Sequence, residues 1–197
     1  MSAQLTFDAD THTYRLNGTV VPSVTQVIDE QLNDWTGVPL DALEAARVFG
    51  SHVHEACHLL VRGELDWASL DPALVPYLEG AQNFLDQSGI TIIASELALA
   101  SPTLRFAGTT DLRGILRDSI STLDWKSTSV MPRSVGPQTA AYDHLYIEQN
   151  GGKPTKRYCV QLNPALPNGY KLHPLKNTAD WHIFLSALNC WRFKHAS

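Results

Sequence analysis

The chain has 197 residues, 44% hydrophobic and 18% charged, a length and balance that suit one soluble globular domain with one substantial core. No apolar run approaches the length of a bilayer-spanning helix, and the opening MSAQLTFDAD lacks the basic and apolar regions of a secretory signal, so a cytoplasmic protein with no membrane partner is expected. The formal net charge of −5 argues against a nucleic-acid partner until it is divided: residues 1–150 hold 19 acids and 8 bases, whereas residues 151–197 hold Asp180 against seven bases.

Those seven, Lys153, Lys156, Arg157, Lys171, Lys176, Arg192 and Lys194, form either a phosphate-contacting patch or a complement to the acidic body. The three cysteines, Cys57, Cys159 and Cys190, are an odd number without a CxxC pair. That speaks against a disulfide framework and against a thiolate zinc or iron–sulfur site, and favours buried small hydrophobes.

In chain order, LTFDADTHTYRLNGTVV contains two short β-type runs with Asp8-Ala9-Asp10 and Asn17-Gly18 as turns, which predicts an N-terminal hairpin or meander. Ser23 or Thr25 caps a short helix in PSVTQVIDEQL. Apolar residues at helical spacing predict a long helix from about Leu40 to Arg62, stopped near Gly63. Gly50 interrupts it, which suits a close approach to that face. Asp71-Pro72 opens a second helix that stops at Ser88-Gly89. ITIIASELALA is nearly continuously apolar and predicts a strand buried on both faces, with Glu96 inside it requiring a partner.

Residues 106–127, FAGTTDLRGILRDSISTLDWKS, read as two strands joined at Asp118-Ser119. If Arg117 faces Ile120, Asp111 lies opposite Lys126 and Arg113 opposite Asp124. Side-chain alternation then gathers Asp111, Asp124 and Lys126 on one face, with Leu123 and Trp125 on the other. Two adjacent carboxylates repel unless a cation or a raised pKa relieves them, and a hard divalent metal does so directly. The other reading is an exposed hairpin with ordinary charges.

After the loop MPRSVGP, Pro137 opens a helix that ends at Gly151-Gly152. KRYCVQLN and YKLHPL are strands around the turn PALPNG, and Thr178 caps a last helix whose apolar side includes Trp181, Phe184, Leu185, Leu188 and Trp191. The order implies an α/β fold, a mixed central β-sheet flanked by helices with an N-terminal β-hairpin. One domain accounts for residues 1–197: hairpin and short helix over 1–39, core over 40–175, C-terminal helix over 176–197.

His54-Glu55-Ala56-Cys57-His58 matches HExxH, in which two histidines one turn apart bind zinc and the glutamate acts as general base, with Glu79 as a third ligand. A zinc metallopeptidase is therefore an alternative, separable by metal preference.

His54, Glu96, Gly108-x-x-Asp111, Asp124-Trp125-Lys126 and Gln138-x-x-x-Tyr142, in this order, resemble the RecB-like branch of the PD-(D/E)XK nuclease superfamily. Val21-Pro22-Ser23-Val24-Thr25 is similar to the phage exonucleases and the mitochondrial genome maintenance exonuclease of that branch. The resemblance covers residues from about 5 to 146 and implies a restriction-endonuclease-like core. It implies an Mg²⁺- or Mn²⁺-dependent deoxyribonuclease, an exonuclease before an endonuclease, acting in phage-type DNA recombination, repair or processing in a bacterial or phage-infected cell. A catalytically silent DNA-binding module is the alternative on the same fold.

By resemblance, Asp111, Asp124, His54 and the Trp125 backbone carbonyl hold the metal, and Lys126 orients the attacking water and stabilises the transition state. Glu96 ligates through water or holds a second ion, and Gln138 and Tyr142 position DNA and the active-site residues. The four cysteines of iron–sulfur members are absent, so no such cluster is expected. DNA is the implied partner. Trp35, Tyr142 and Tyr146 either stack bases or pack the core. The oligomeric state stays open, because ring-forming and monomeric nucleases share this core, and a recombination or repair protein is a compatible partner.

Overall fold

In a computed structural model, which describes residues 4–8 and 11–196, the alternating Thr, Tyr and Val residues near the N-terminus form three strands. These are β1 (Leu5–Asp8), β2 (Thr13–Leu16) and β3 (Thr19–Val21), paired antiparallel in that order. The expected hairpin is thus a three-stranded meander. Asn17 and Gly18 turn β2 into β3 with φ of 50° and 79°, the left-handed pair that matches strand twist. Of the other expected turn, Ala9 and Asp10 lie outside the described residues.

Ser23, rather than Thr25, caps α1 (Val24–Gln31): its hydroxyl accepts the Gln26 amide at 3.0 Å while the Gln26 side chain accepts the Ser23 amide at 2.9 Å. This reciprocal box satisfies two first-turn donors. The Ala107 amide donates to Pro22 at 3.0 Å, fastening the N-terminal segment to the main sheet.

That sheet has five strands in the order β4 (Thr91–Ser101), β5 (Phe106–Leu116), β6 (Ser119–Lys126), β7 (Lys156–Leu162) and β8 (Tyr170–Pro174). All neighbours are antiparallel except β6 and β7, whose parallel pairing requires the crossover helix α4 (Val135–Asn150). α2 (Leu40–Arg62) and α3 (Val75–Ser88) cover one face, burying Val53, Cys57, Leu78 and Phe84 against Leu112, Leu123, Trp125 and Val160. α1, α4 and α5 (Asp180–His195) cover the other, around Val27, Leu145, Phe184, Leu99 and Phe106. This mixed sheet between helices is the expected fold class.

Several local expectations change. α2 runs as read and stops at Gly63, φ 71°, where the left-handed C-cap favours glycine. A Cβ at Gly50 would meet only Ser127 Oγ, at 3.9 Å, so no close approach requires that glycine. α3 starts at Val75, because Asp71 instead closes a preceding turn through the amides of Ala73 and Leu74. α4 begins at Val135, two residues before Pro137. Thr178 does not cap α5; Asn177 accepts the Ala179 amide at 3.1 Å and donates to Asp180 at 3.1 Å.

The hairpin register also differs by two positions. Arg117 and Asp118 form the turn with φ of 51° and 58°, so Leu116 pairs with Ser119, Leu112 with Leu123, and Arg113 with Thr122 instead of Asp124. Continuing that register sets Asp111 opposite Asp124 rather than Lys126. β4 is not buried on both faces: Ile92 and Ile93 are exposed, because it is an edge strand.

Candidate metal centre

The alternation of side chains slips at one level of the sheet. Phe106 lies in the α1/α4/α5 core and Leu112, six residues on, in the α2/α3 core, although strand alternation would put both on one face. The same step occurs in β4, where Leu97 faces the first core while Ser95 bonds His58 of α2 at 2.8 Å. Between them the β4–β5 ladder passes over Glu96 and Asp111, and Glu96 takes φ 51°. A non-glycine residue in this region is uncommon, and such strain concentrates at functional sites.

Five candidate residues meet at this level. Ligating atoms of His54, Glu96 and Asp111 lie within 4.8 Å of one another. The Asp111 carboxylate accepts the Trp125 backbone amide at 2.8 Å and stands 3.3 Å from His54 Nδ1. Lys126 Nζ is 2.6 Å from Asp124 Oδ2. The Trp125 indole packs edge-on against Phe84, with ring centroids 5.6 Å apart, and anchors the strand that carries Asp124 and Lys126.

Behind the acids, Gln138 donates to the Tyr142 hydroxyl at 3.1 Å, and both are buried. Gly108 permits this: a Cβ there would come within 2.8 Å of the Tyr142 ring and 2.9 Å of Val24. The first glycine of GxxD is thus explained by helix packing.

The electrostatics separate the acids. Burial raises the pKa of Asp111, but His54, Lys126 and the Trp125 amide outweigh it and hold this carboxyl below its usual range. Burial pushes Asp124 up to about 6 against the opposing pull of Lys126. Glu96 is exposed as a residue, but partial burial of its carboxyl, with Asp111 adding repulsion, pushes it up to about 7. For His54 and Lys126, burial disfavours the charge, yet Asp111 raises His54, and Asp124 with Asp111 raises Lys126 to about 12. Burial, then the two aspartates, keep the Tyr142 phenol protonated.

A carboxyl raised in the folded state costs stability above its folded pKa, and a raised histidine contributes stability that is lost as pH rises through its folded pKa. Glu96, Asp124 and His54 therefore act in one direction. In EDTA, the thermal midpoint is expected to rise as pH falls from 8 to 6, through the folded-state values of Glu96 and Asp124; a flat or falling midpoint in scanning fluorimetry would contradict this electrostatic picture.

The donor set fits a divalent cation. The fully buried Asp124 carboxyl has the Lys126 ammonium against Oδ2 at 2.6 Å as its one donor among the described residues, and Oδ1 has no hydrogen-bond partner there. A buried charge short of donors is costly, and oxygen and imidazole donors beside it would share an ion naturally. The HExxH arrangement is not assembled: His58 bonds Ser95, and Glu55 and Glu79 are exposed.

Two participants carry no sequence signal. The Tyr14 hydroxyl shares a 2.7 Å hydrogen bond with Thr109, and its pKa is raised by burial and then by Glu96 and Asp111, so the N-terminal sheet reaches the cluster. Gln161, in register with Lys126, donates to the carbonyls of Thr128 and Ser129 at 2.8 and 3.0 Å and fastens the loop after Lys126. Both contacts bridge segments far apart in the chain.

No protein-family model matches the chain, and no curated protein matches it. Among solved structures, the alkaline exonuclease LHK-Exo of Laribacter hongkongensis is similar at 11% identity and a TM-score of 0.44, covering 88% of this chain and 87% of that one. The same enzyme in complex with dAMP is similar over the same shares, at 11% identity and a TM-score of 0.40.

Proposed function

We propose that the protein is a divalent-metal-dependent nuclease that hydrolyses DNA phosphodiester bonds, an exonuclease before an endonuclease, with residues 1–197 forming one nuclease domain. The observation that carries this reading is the buried carboxyl of Asp124, one oxygen paired with Lys126 and the other without a hydrogen-bond partner among the described residues, beside His54, Glu96 and Asp111. Asp111, Asp124 and His54 would hold Mg²⁺ or Mn²⁺, with the Trp125 carbonyl as a further ligand. The bound ion would supply a water of lowered pKa and a counter-charge for the phosphate.

Lys126 stays protonated, so it serves as a donor and not as a base: its ammonium orients the attacking water and stabilises charge developing on the phosphate oxygens. Glu96, whose carboxylate lies with the ligating atoms of His54 and Asp111, would hold that water or a second ion. The Tyr142 hydroxyl, supported by Gln138, is a donor available to a substrate phosphate. Phage-type recombination, repair or DNA processing is the proposed setting.

Digestion of end-labelled single-stranded, duplex and circular DNA with Mg²⁺ or Mn²⁺ tests activity, polarity and end dependence together. No product from any substrate, with metal binding demonstrated, would leave a DNA-binding module instead. His58→Ala should cost about 1 kcal/mol of stability through the lost Ser95 bond while cleavage stays within about twofold of wild type. A large loss of DNA cleavage in this variant would instead make His58 a ligand of the catalytic metal.

A further inference from the structure

We propose that the cavity between α4, the start of β7 and α5 is a second binding site, specific for a nucleoside phosphate. The cavity measures about 860 Å³, within the range of small-ligand sites. Along β7 it lies away from the metal centre: Lys156 at its rim is in register with Ser121, whereas Gln161 is in register with Lys126. That separation is about 16 Å at the rise of a β-strand.

The charge of the cavity is one-sided. Asp143 is its acid, and both its oxygens are engaged, by the Thr155 amide and hydroxyl at 2.9 and 2.5 Å and by Arg113 at 3.4 Å. Arg157 is likewise neutralised by Asp180 at 2.9 Å and tied to the Gly136 and Asn177 carbonyls. Arg117, Lys156 and Lys176 also line the cavity, are exposed, and form no ion pair among the described residues. They come from the β5–β6 turn, the start of β7 and the segment after β8. Three cations from three segments of an acidic chain converge on one concavity, which suits a phosphate.

An aromatic stack supplies the second half of the site. The His144 imidazole stacks on the Trp181 indole with centroids 3.8 Å apart and planes 12° apart, and both residues line the cavity. Burial lowers the His144 pKa, so this stack is uncharged at neutral pH and offers the outer face of a ring to a base. Phosphate on the cations and base on the rings together select a nucleotide, either free or as the phosphorylated end of a DNA strand.

Isothermal titration calorimetry in EDTA, with dAMP, inorganic phosphate and a 5′-phosphorylated oligonucleotide, tests this without reference to hydrolysis. Wild-type protein should bind one dAMP saturably, and the combined Arg117→Glu, Lys156→Glu and Lys176→Glu variant should bind roughly tenfold or more weakly at an unchanged thermal midpoint. His144→Ala should weaken dAMP several-fold and leave inorganic phosphate unaffected. Competition of the oligonucleotide with dAMP assigns a strand end, and its failure to compete assigns a free nucleotide. Absence of saturable binding by the wild type, or wild-type affinity in the triple variant, overturns the proposal.

Discussion

Lys126→Ala is expected to lower metal-dependent DNA cleavage by roughly a hundred- to a thousandfold, while the far-UV circular dichroism of the protein stays that of the wild type. The ammonium stands 2.6 Å from Asp124 Oδ2 and is the counter-charge of a carboxyl with no other hydrogen-bond donor among the described residues. Its removal takes away a charge that favours the transition state and leaves Asp124 to raise its pKa further, so both functions of the pair fail together. Asp124→Asn should abolish cleavage for the complementary reason, the loss of an anionic ligand.

The two variants differ in stability, which separates chemistry from folding. Asp124→Asn removes a buried charge but strands Lys126, and Lys126→Ala strands the carboxylate. The double variant Asp124→Leu, Lys126→Met strands neither and should recover wild-type stability or exceed it, as replacement of whole buried pairs by apolar residues often does. It should remain inactive. Cleavage near wild-type level by purified Lys126→Ala protein would sink the proposed role of the lysine.

Arg113→Ala is expected to destabilise the protein by about 3–5 kcal/mol, a large share of the stability of an ordinary domain, read as a shift in the urea midpoint at constant slope. Arg113 is fully buried. It donates to Thr122 at 2.6 Å, lies 3.4 Å from Asp143 and sets its guanidinium 3.5 Å over the Tyr146 ring, joining β5, β6 and α4. The alanine variant loses this cation–π contact, opens a cavity and leaves Asp143 with Thr122 and Thr155 as donors.

Arg113→Met should recover about half of that loss. It refills the volume, and Nε and Nη2 of the arginine have no hydrogen-bond partner among the described residues, so part of the native cost disappears with them. A loss below about 1 kcal/mol in Arg113→Ala would mean that the network around Asp143 is sustained by Thr122 and Thr155. Because Asp143 also lines the proposed nucleotide cavity, Arg113 variants should perturb that site more than the metal centre.

Much of this was legible from local patterns. The apolar period and the stop glycine define α2 from Leu40 to Arg62, since periodic burial and a left-handed cap are properties of adjacent residues. The hairpin, the crossover helix and the last helix are readable for the same reason, and the ordered set from His54 to Tyr142 names the candidate site. End effects were less legible: Asp71 and Thr178 have cap chemistry, but Asp71 closes a turn and Asn177 takes over at α5.

Tertiary structure decided what depends on pairing between distant segments. Arg117 and Asp118 both adopt left-handed backbone without a glycine to announce it, so the hairpin register differs by two and Asp111 falls opposite Asp124. The slip at Glu96 and Asp111 breaks the strand alternation on which a one-dimensional reading depends, and the exposure of β4 follows from its place at the sheet edge. His54 reaches Asp111 only because α2 packs across the strands, and Tyr14 joins them from 95 residues before its partner Thr109. The basic C-terminal segment left a choice between a phosphate patch and a complement to acids, and folding divides it: Arg157 pairs with Asp180, while Lys156 and Lys176 meet Arg117 around an open cavity. Composition encodes the number of charges, but only the fold brings chosen ones within reach of a single ligand.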